Sequence, residues 1–389
     1  MKALRNYLDK IKPNFQKGGK FEKLESSFDA FETFLFVPDH VTKSGSHIRD
    51  YIDLKRTMAI VVIALMPALL FGMWNVGYQH YMSIGQTATF FTQFLYGFIQ
   101  VFPIVVVSYV SGLSVEFIFA QIRKHEVNEG FLVSGMLIPL VMPVDTPLWM
   151  ISLATIFAVI FGKEVFGGTG MNIFNPALLA RAFVFFAYPG KITGDLIWVS
   201  GLSDTSTKII DGYSGATPLS YAANNLVDKI PDNMTLFLGF IPGSIGETSK
   251  LAILIGAAIL LISGIGNWRI MLSTIVGGIT MSLLFNLWGA NAYMTIPPIT
   301  QLLMGGFMFG AVFMATDPVT GSQTNKGKYY YGFFIGVIAI LVRVFNPAYP
   351  EGMMLAILLM NAFAPLIDYF VIENHIKKRL KRAKVSSSK

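Results

Sequence analysis

Three short stretches and two isolated acids hold the side chains in this chain that could do chemistry. The first stretch, Asp211-Gly212-Tyr213-Ser214-Gly215-Ala216-Thr217-Pro218, is a glycine- and serine-rich turn that presents the Thr217 hydroxyl just before a proline. The second, Gly167-Gly168-Thr169-Gly170-Met171-Asn172-Ile173-Phe174-Asn175-Pro176, carries two amides, Asn172 and Asn175, that share a face if the segment is helical. The third, Arg123 to Phe131, gathers His125, Glu126 and Glu129 beside Gly130. Asp317 and Asp368 sit at or inside apolar stretches, where an aspartate costs about 2.5 to 3.5 kcal/mol and is a functional candidate by default. Carboxylate and carbonyl oxygens at a helix break suit a hard cation such as sodium. Each feature also has a plainer reading: a surface turn at Thr217, backbone satisfaction in a broken helix by Asn172 and Asn175, a solvated charge cluster at 123–131, a local cap at Asp317, and a pairing or interface role at Asp368. The chain has no cysteine, which excludes disulfides and cysteine-held zinc or iron–sulfur centres. Its five histidines lie outside the apolar runs, which argues against a haem held between two membrane helices. Any electrons moved here need an organic cofactor.

The elements that must position these residues are membrane helices. Of 389 residues 53% are hydrophobic and only 14% charged, against roughly a quarter charged in a soluble domain. At about 20 apolar residues per crossing, ten spans are predicted: 57–77, 93–119, 131–143, 148–166 and 176–189, then 250–265, 269–288, 299–316, 329–346 and 353–372. The third and fifth are short and bounded by prolines, the mark of broken helices lining a site. With the N-terminus placed in the cytoplasm, 24 Lys and Arg fall on the inner side and 3 on the outer, and Arg181, Lys250 and Arg343 fall within or beside spans. That asymmetry supports the count and puts both termini inside.

The expected fold class is therefore an all-α integral membrane protein of about ten transmembrane helices in two inverted five-helix repeats. Its expected parts are a cytoplasmic extension (1–56), a first repeat (57–189), an outer periplasmic loop (190–248), a second repeat (249–372) and a basic cytoplasmic tail (373–389). The extension is polar and mixed in charge, unlike a cleavable leader. The tail, with Lys377, Lys378, Arg379, Lys381, Arg382 and Lys384, reads as an anchor on anionic lipid. Five spans per half invert the second copy. An internal echo agrees with this, since Phe174-Asn175-Pro176-Ala177 recurs as Phe345-Asn346-Pro347-Ala348.

An acid, two variable residues and then Ser-Gly-Ala-Thr resembles the flavinylation motif, with Asp211, Ser214, Gly215, Ala216 and Thr217 in its positions. The whole chain resembles the B-subunit family of the sodium-pumping bacterial NADH:quinone oxidoreductases. The resemblance is carried by the motif, the ten spans, the polar extension and the stretches 123–135, 167–181 and 316–326. It implies FMN joined to Thr217 by a phosphoester on the outer side, a noncovalent riboflavin inside, and ubiquinone reduced near the cytoplasmic face as sodium is exported. On that reading Asn172 and Asn175 serve riboflavin, Glu126, Glu129 and Gly130 the quinone, and Asp317 and Asp368 the sodium path. The implied partners are the other subunits of a six-part complex (A to F), a flavin transferase and the bilayer of the bacterial inner membrane, with no nucleic acid. The D subunit of Rnf-type ferredoxin:NAD oxidoreductases, which generally lacks the long extension, and a non-redox transporter or channel of the same build are the alternatives.

Overall fold

A computed structural model describes residues 2–15, 18–21, 28, 32, 36, 42, 44–46, 54–123, 130–192, 194–202, 210, 213–346 and 350–387. Among these residues every regular element is a helix. A bilayer leaves no water for exposed backbone groups, so apolar segments close their hydrogen bonds internally. After a short N-terminal helix α1 (Lys2–Ile11), the first half runs α2 (Leu54–Ser83), α3 (Phe90–Arg123), α4 (Phe131–Val141), α5 (Leu148–Val159) and α6 (Pro176–Ala187). A six-residue helix α7 (Pro218–Ala223) lies in the connection. The second half runs α8 (Lys250–Ile262), α9 (Trp268–Trp288), α10 (Pro298–Leu303), α11 (Asn325–Phe345) and α12 (Met353–Ser387).

Five of these helices, α2, α3, α9, α11 and α12, are long and apolar enough to cross a membrane unaided. The third and fifth spans, α4 and α6, are short as their prolines predict; α8 and α10 are short as well, and α5 passes directly into a π-helical turn at Ile160–Glu164. The eighth predicted span is broken. Its first piece, α10, ends at Met304, Gly305 turns with a positive φ, and a second piece runs from Phe307 through a π-helical turn at Gly310–Met314. The basic residues from 373 continue α12 as helix to Ser387.

The second helix of each half packs on the fourth, α3 on α5 and α9 on α11, and the first helices of the halves meet, α2 on α8. That recurrence is what two five-helix repeats produce. Small residues allow the close approaches. A Cβ at Gly77 or Gly97 would strike the facing α3 or α2 backbone, and Gly277 and Gly336 play the same part between α9 and α11. Asn175 and Pro176 open α6 as an N-cap and first helical residue, where a proline lacks nothing the helix needs. In the echo, Asn346 ends α11, while Pro347 and Ala348 lie outside the described residues.

Candidate functional site

At one end of the bundle, the Thr217 turn is held by its own hydrogen bonds. Thr217 is the N-cap of α7, its hydroxyl accepting from the Ser220 amide at 3.2 Å. The Ser214 hydroxyl accepts from the Ala216 amide at 3.2 Å. Gly215 is required by packing, because a Cβ there would meet the Asp195 carbonyl and Leu202. Asp195 in turn accepts from the Ser220 hydroxyl at 2.9 Å. Asp211, the acid of the motif, lies outside the described residues, as does Gly212. The turn is fastened to α2 by the Ile210 amide, which donates to the Ser83 carbonyl at 3.0 Å, and by the Tyr213 hydroxyl, which donates to Gln79 Oε1 at 3.0 Å. Burial pushes the Tyr213 phenol up to about 12, so it remains a donor at any ordinary pH. Further along the connection, the Thr235 hydroxyl and amide donate to Asp232 and hold its carboxyl below the usual range.

Gly215→Ala tests that packing. The added methyl forces the Asp195 backbone or Leu202 to move, a cost of about 1 to 3 kcal/mol. We expect faster limited proteolysis of the 190–248 connection, with the helical core unchanged by circular dichroism.

Behind Thr217 lies a cavity of about 230 Å³ whose wall includes Arg181, Trp198, Glu247, Lys250 and Glu351. Arg181 reaches it from α6, only 3% exposed; it donates to Ser244 Oγ at 3.2 Å and Glu351 at 3.1 Å, and its guanidinium lies 5.7 Å from the centre of the Trp198 ring. Lys250, at the start of α8, donates to the carbonyls of Glu247 and Thr248 at 2.9 and 3.1 Å. From α11, Arg343 ties in the break of the eighth span, donating to the carbonyls of Gln301 (2.5 Å), Met304 (3.0 Å) and Glu351 (2.9 Å). Thr248, 2% exposed, has a hydroxyl with no hydrogen-bond partner among the described residues. Two cations, two carboxylates, an indole and a free hydroxyl thus line the cavity, and the Arg181–Glu351 pair offsets part of the charge within the wall. In sequence, Arg181, Lys250 and Arg343 stand within or beside the spans with no task assigned; basic groups at membrane depth are the signal that points to them.

A second cavity, of about 110 Å³, brings together residues that the sequence assigns to three different tasks: Gly130, Asn172, Asn175 and Asp317, with Lys163 and Thr169 beside them. Asn175 works twice. Its oxygen caps α6 by accepting from the Ala177 and Leu178 amides at 3.0 and 3.4 Å, and its nitrogen donates to Asp317 at 3.2 Å. Asp317 also accepts from the Val319 amide at 3.0 Å and the Thr320 hydroxyl at 3.1 Å. The segment before α6 is not helical, so the shared helical face expected for Asn172 and Asn175 is not formed. Gly167, Gly168 and Gly170 all take positive φ, and Asn172 donates to the Phe174 carbonyl at 3.2 Å. Glu126 and Glu129 lie outside the described residues.

The other buried acids are committed to partners. Lys163 pairs with Glu116, and Arg123 pairs with Glu164 at 3.2 Å. Asp368 does not line the cavity. Its carboxylate accepts from the hydroxyls of Ser322 (2.7 Å) and Thr324 (2.6 Å) and from the amides of Gln323 (2.7 Å) and Thr324 (3.0 Å), fastening α12 to the loop before α11. Among the described residues no three His, Asp or Glu gather as a metal-holding cluster. A cation at Asp317 would therefore meet one carboxylate and neutral oxygens. Asp368→Ala removes the clamp, and with water reaching the site the expected cost is about 1 to 3 kcal/mol. The measurement is a lowered thermal midpoint in detergent.

The chain matches the family model described as the NQR2, RnfD, RnfE family over residues 41–377. It is 47% identical to the B subunit of the Na(+)-translocating NADH-quinone reductase of Ectopseudomonas mendocina, over 98% of this chain and 99% of the relative. The corresponding proteins of Chromohalobacter salexigens, 46% identical over 98% of this chain and 97% of theirs, and Azotobacter vinelandii, 47% over 98% and 99%, are similarly near. With a match that spans both halves of the bundle, the loop carrying Thr217 and the Asn175–Asp317 contact, the chain belongs to the NQR2, RnfD, RnfE family.

Proposed function

We propose that this chain is the membrane subunit of a sodium-translocating NADH:ubiquinone oxidoreductase of the bacterial inner membrane. In this reading FMN is esterified to Thr217, riboflavin is held at the second cavity, and ubiquinone accepts the electrons near the 124–130 loop. Both termini lie in the cytoplasm and Thr217 faces the periplasm; the other subunits of the complex oxidise NADH, and a flavin transferase loads the Thr217 hydroxyl. The observation that carries the reading is a complete Ser214-Gly215-Ala216-Thr217 turn at the mouth of a cavity with buried cations.

The residues at that mouth fit a flavin phosphate. Arg181 and Lys250 supply positive charge beside the Glu247 and Glu351 carboxylates of the same wall, Trp198 an aromatic face, and Thr248 an unused hydroxyl. Flavins, when bound, supply electron transfer between a two-electron donor and the quinone. The protein's part is to orient and to exclude water. The Gly215 packing and the Tyr213 bond fix the loop, while the Arg181–Glu351 pair holds the cavity wall. At the second cavity Asn172, Asn175 and Thr169 offer amide and hydroxyl groups beside an apolar wall, which suits a polar ring edge and ribityl hydroxyls. Among the described residues of that wall, Asp317 supplies the one carboxylate for a passing sodium ion.

Peptide mass spectrometry tests the reading. After coexpression with the transferase, the proteolytic peptide containing Thr217 should carry FMN less one water. An unmodified peptide at full sequence coverage overturns it. Sodium-stimulated quinone reduction with NADH, and none with reduced ferredoxin, separates this chain from its Rnf counterpart.

A further inference from the structure

The face formed by α11 and α12 at the end opposite Thr217 carries a groove unrelated to either cavity. Its volume is about 360 Å³. Along α11 the stripe Lys326, Tyr330 and Phe334 recurs every four residues, and α12 contributes Phe370, His375 and Lys378. At 1.5 Å per residue, Lys326 and Phe334 stand about 12 Å apart along the helix. The groove is therefore graded. Lys326 lies at the start of α11 and His375 and Lys378 toward the end of α12, while Tyr330 and Phe334 follow about one and two turns deeper along α11. The aromatic side chains are open: Tyr330 is 56% exposed, Phe334 46% and Phe370 59%.

Two observations separate this groove from a generally basic surface. No Asp or Glu is among the described residues that line it, so no described acid balances its charge. Lys377, one position before Lys378 and turned about 100° from it, is held by Glu373 at 2.7 Å instead. Asp368, the nearest acid on α12 toward the membrane, is engaged by Ser322, Gln323 and Thr324. The lysines of the groove thus have no acid partner among the described residues, and the exposed Tyr330 and Phe334 continue from Lys326 deeper along α11.

The geometry points to a binding site for one anionic phospholipid, its phosphate between Lys326 and Lys378 and an acyl chain along Tyr330, Phe334 and Phe370. Basic pockets between membrane helices at the headgroup level take acidic lipids by this division of labour. An acidic helix of a partner protein would satisfy the lysines but would leave unexplained the exposed aromatic stripe that continues from Lys326 along α11. The site is independent of the flavin reading.

The test uses the assembled complex, or the full chain, purified in detergent and incubated with equal amounts of dioleoylphosphatidylglycerol and dioleoylphosphatidylcholine. Native mass spectrometry counts the lipid retained. We expect about one phosphatidylglycerol to be kept in preference to phosphatidylcholine, and roughly a tenfold loss of that preference in K326Q/K378Q. Both lysines are exposed, so the double variant keeps the fold. K377Q, which removes a charge from the same turn of α12, should retain the preference. Equal retention of the two lipids, an unchanged ratio in the double variant, or an equal loss in K377Q overturns the site. So does a photo-crosslinker at position 330 that captures a protein rather than lipid in the assembled complex.

Discussion

Thr217→Ala should abolish flavin fluorescence in the denatured protein, while wild type made alongside its flavin transferase keeps a fluorescent band. The expected effect is all or none, because a phosphoester needs the hydroxyl oxygen and Ala216 and Pro218 beside it have none to offer. The substitution is mild for the fold. It removes a single N-cap hydrogen bond, from the Ser220 amide at 3.2 Å, a loss of about 1 kcal/mol. The short α7 is also anchored elsewhere, by the Ser220–Asp195 hydrogen bond and by buried Leu219 and Ala222. A dark band from well-expressed protein is then chemical rather than a sign of unfolding. Thr217→Ser keeps the oxygen and should keep fluorescence. Fluorescence that survives in the alanine variant would move the flavin elsewhere, and a dark wild type would remove covalent flavin altogether. Quinone reduction that persists at the wild-type rate without Thr217 would leave the chain a structural role only.

How much of this is readable in the sequence depends on the range of the interactions involved. Hydropathy is local, so the predicted spans fall within a few residues of many of the helices observed, and the prolines at 139, 143 and 147 mark the short α4. The eighth span is harder. Gly305-Gly306 weakens a helix there, but hydropathy reads 299–316 as one span, and the break is held open by Arg343 from another helix, bonded to the Gln301 and Met304 carbonyls. The polar cluster around Arg181 is out of reach in the same way, since Arg181, Glu247 and Glu351 are far apart in sequence and meet only when the two halves close. The helical face expected for Asn172 and Asn175 fails for a local reason instead. Three glycines in four residues argue against a helix on entropy alone, and the structure gives all three positive φ. Asp368 lies between these cases. It stands out in sequence as an acid at an apolar helix end, and it does carry four hydrogen bonds, but they come from a loop that hydropathy alone does not bring near it.

Asp317 and Asp368 are equal candidates for the sodium path from sequence, and their surroundings make opposite predictions for removal of the carboxylate. Asp317→Asn keeps the size of the side chain and one oxygen to accept from the Val319 amide or the Thr320 hydroxyl. It removes the only carboxylate lining the second cavity among the described residues. We expect thermal stability within about 1 kcal/mol of wild type and unchanged flavin content. The sodium concentration for half-maximal turnover should rise by roughly tenfold or more, since even substitutions outside the first ligand sphere cost a metal site that much. Asp368→Ala should do the reverse: its four bonds hold α12 to the loop before α11, so stability falls while the sodium dependence of the surviving enzyme stays close to wild type. Sodium titrations of quinone reduction in both variants, read beside their thermal midpoints, separate an ion ligand from a clamp. An unchanged titration in Asp317→Asn would take that carboxylate out of the ion path and leave it as the cap of the turn that follows. A shifted titration in Asp368→Ala alone would instead put the path through the α11–α12 loop, where the hydroxyls of Ser322 and Thr324 already converge on one carboxylate.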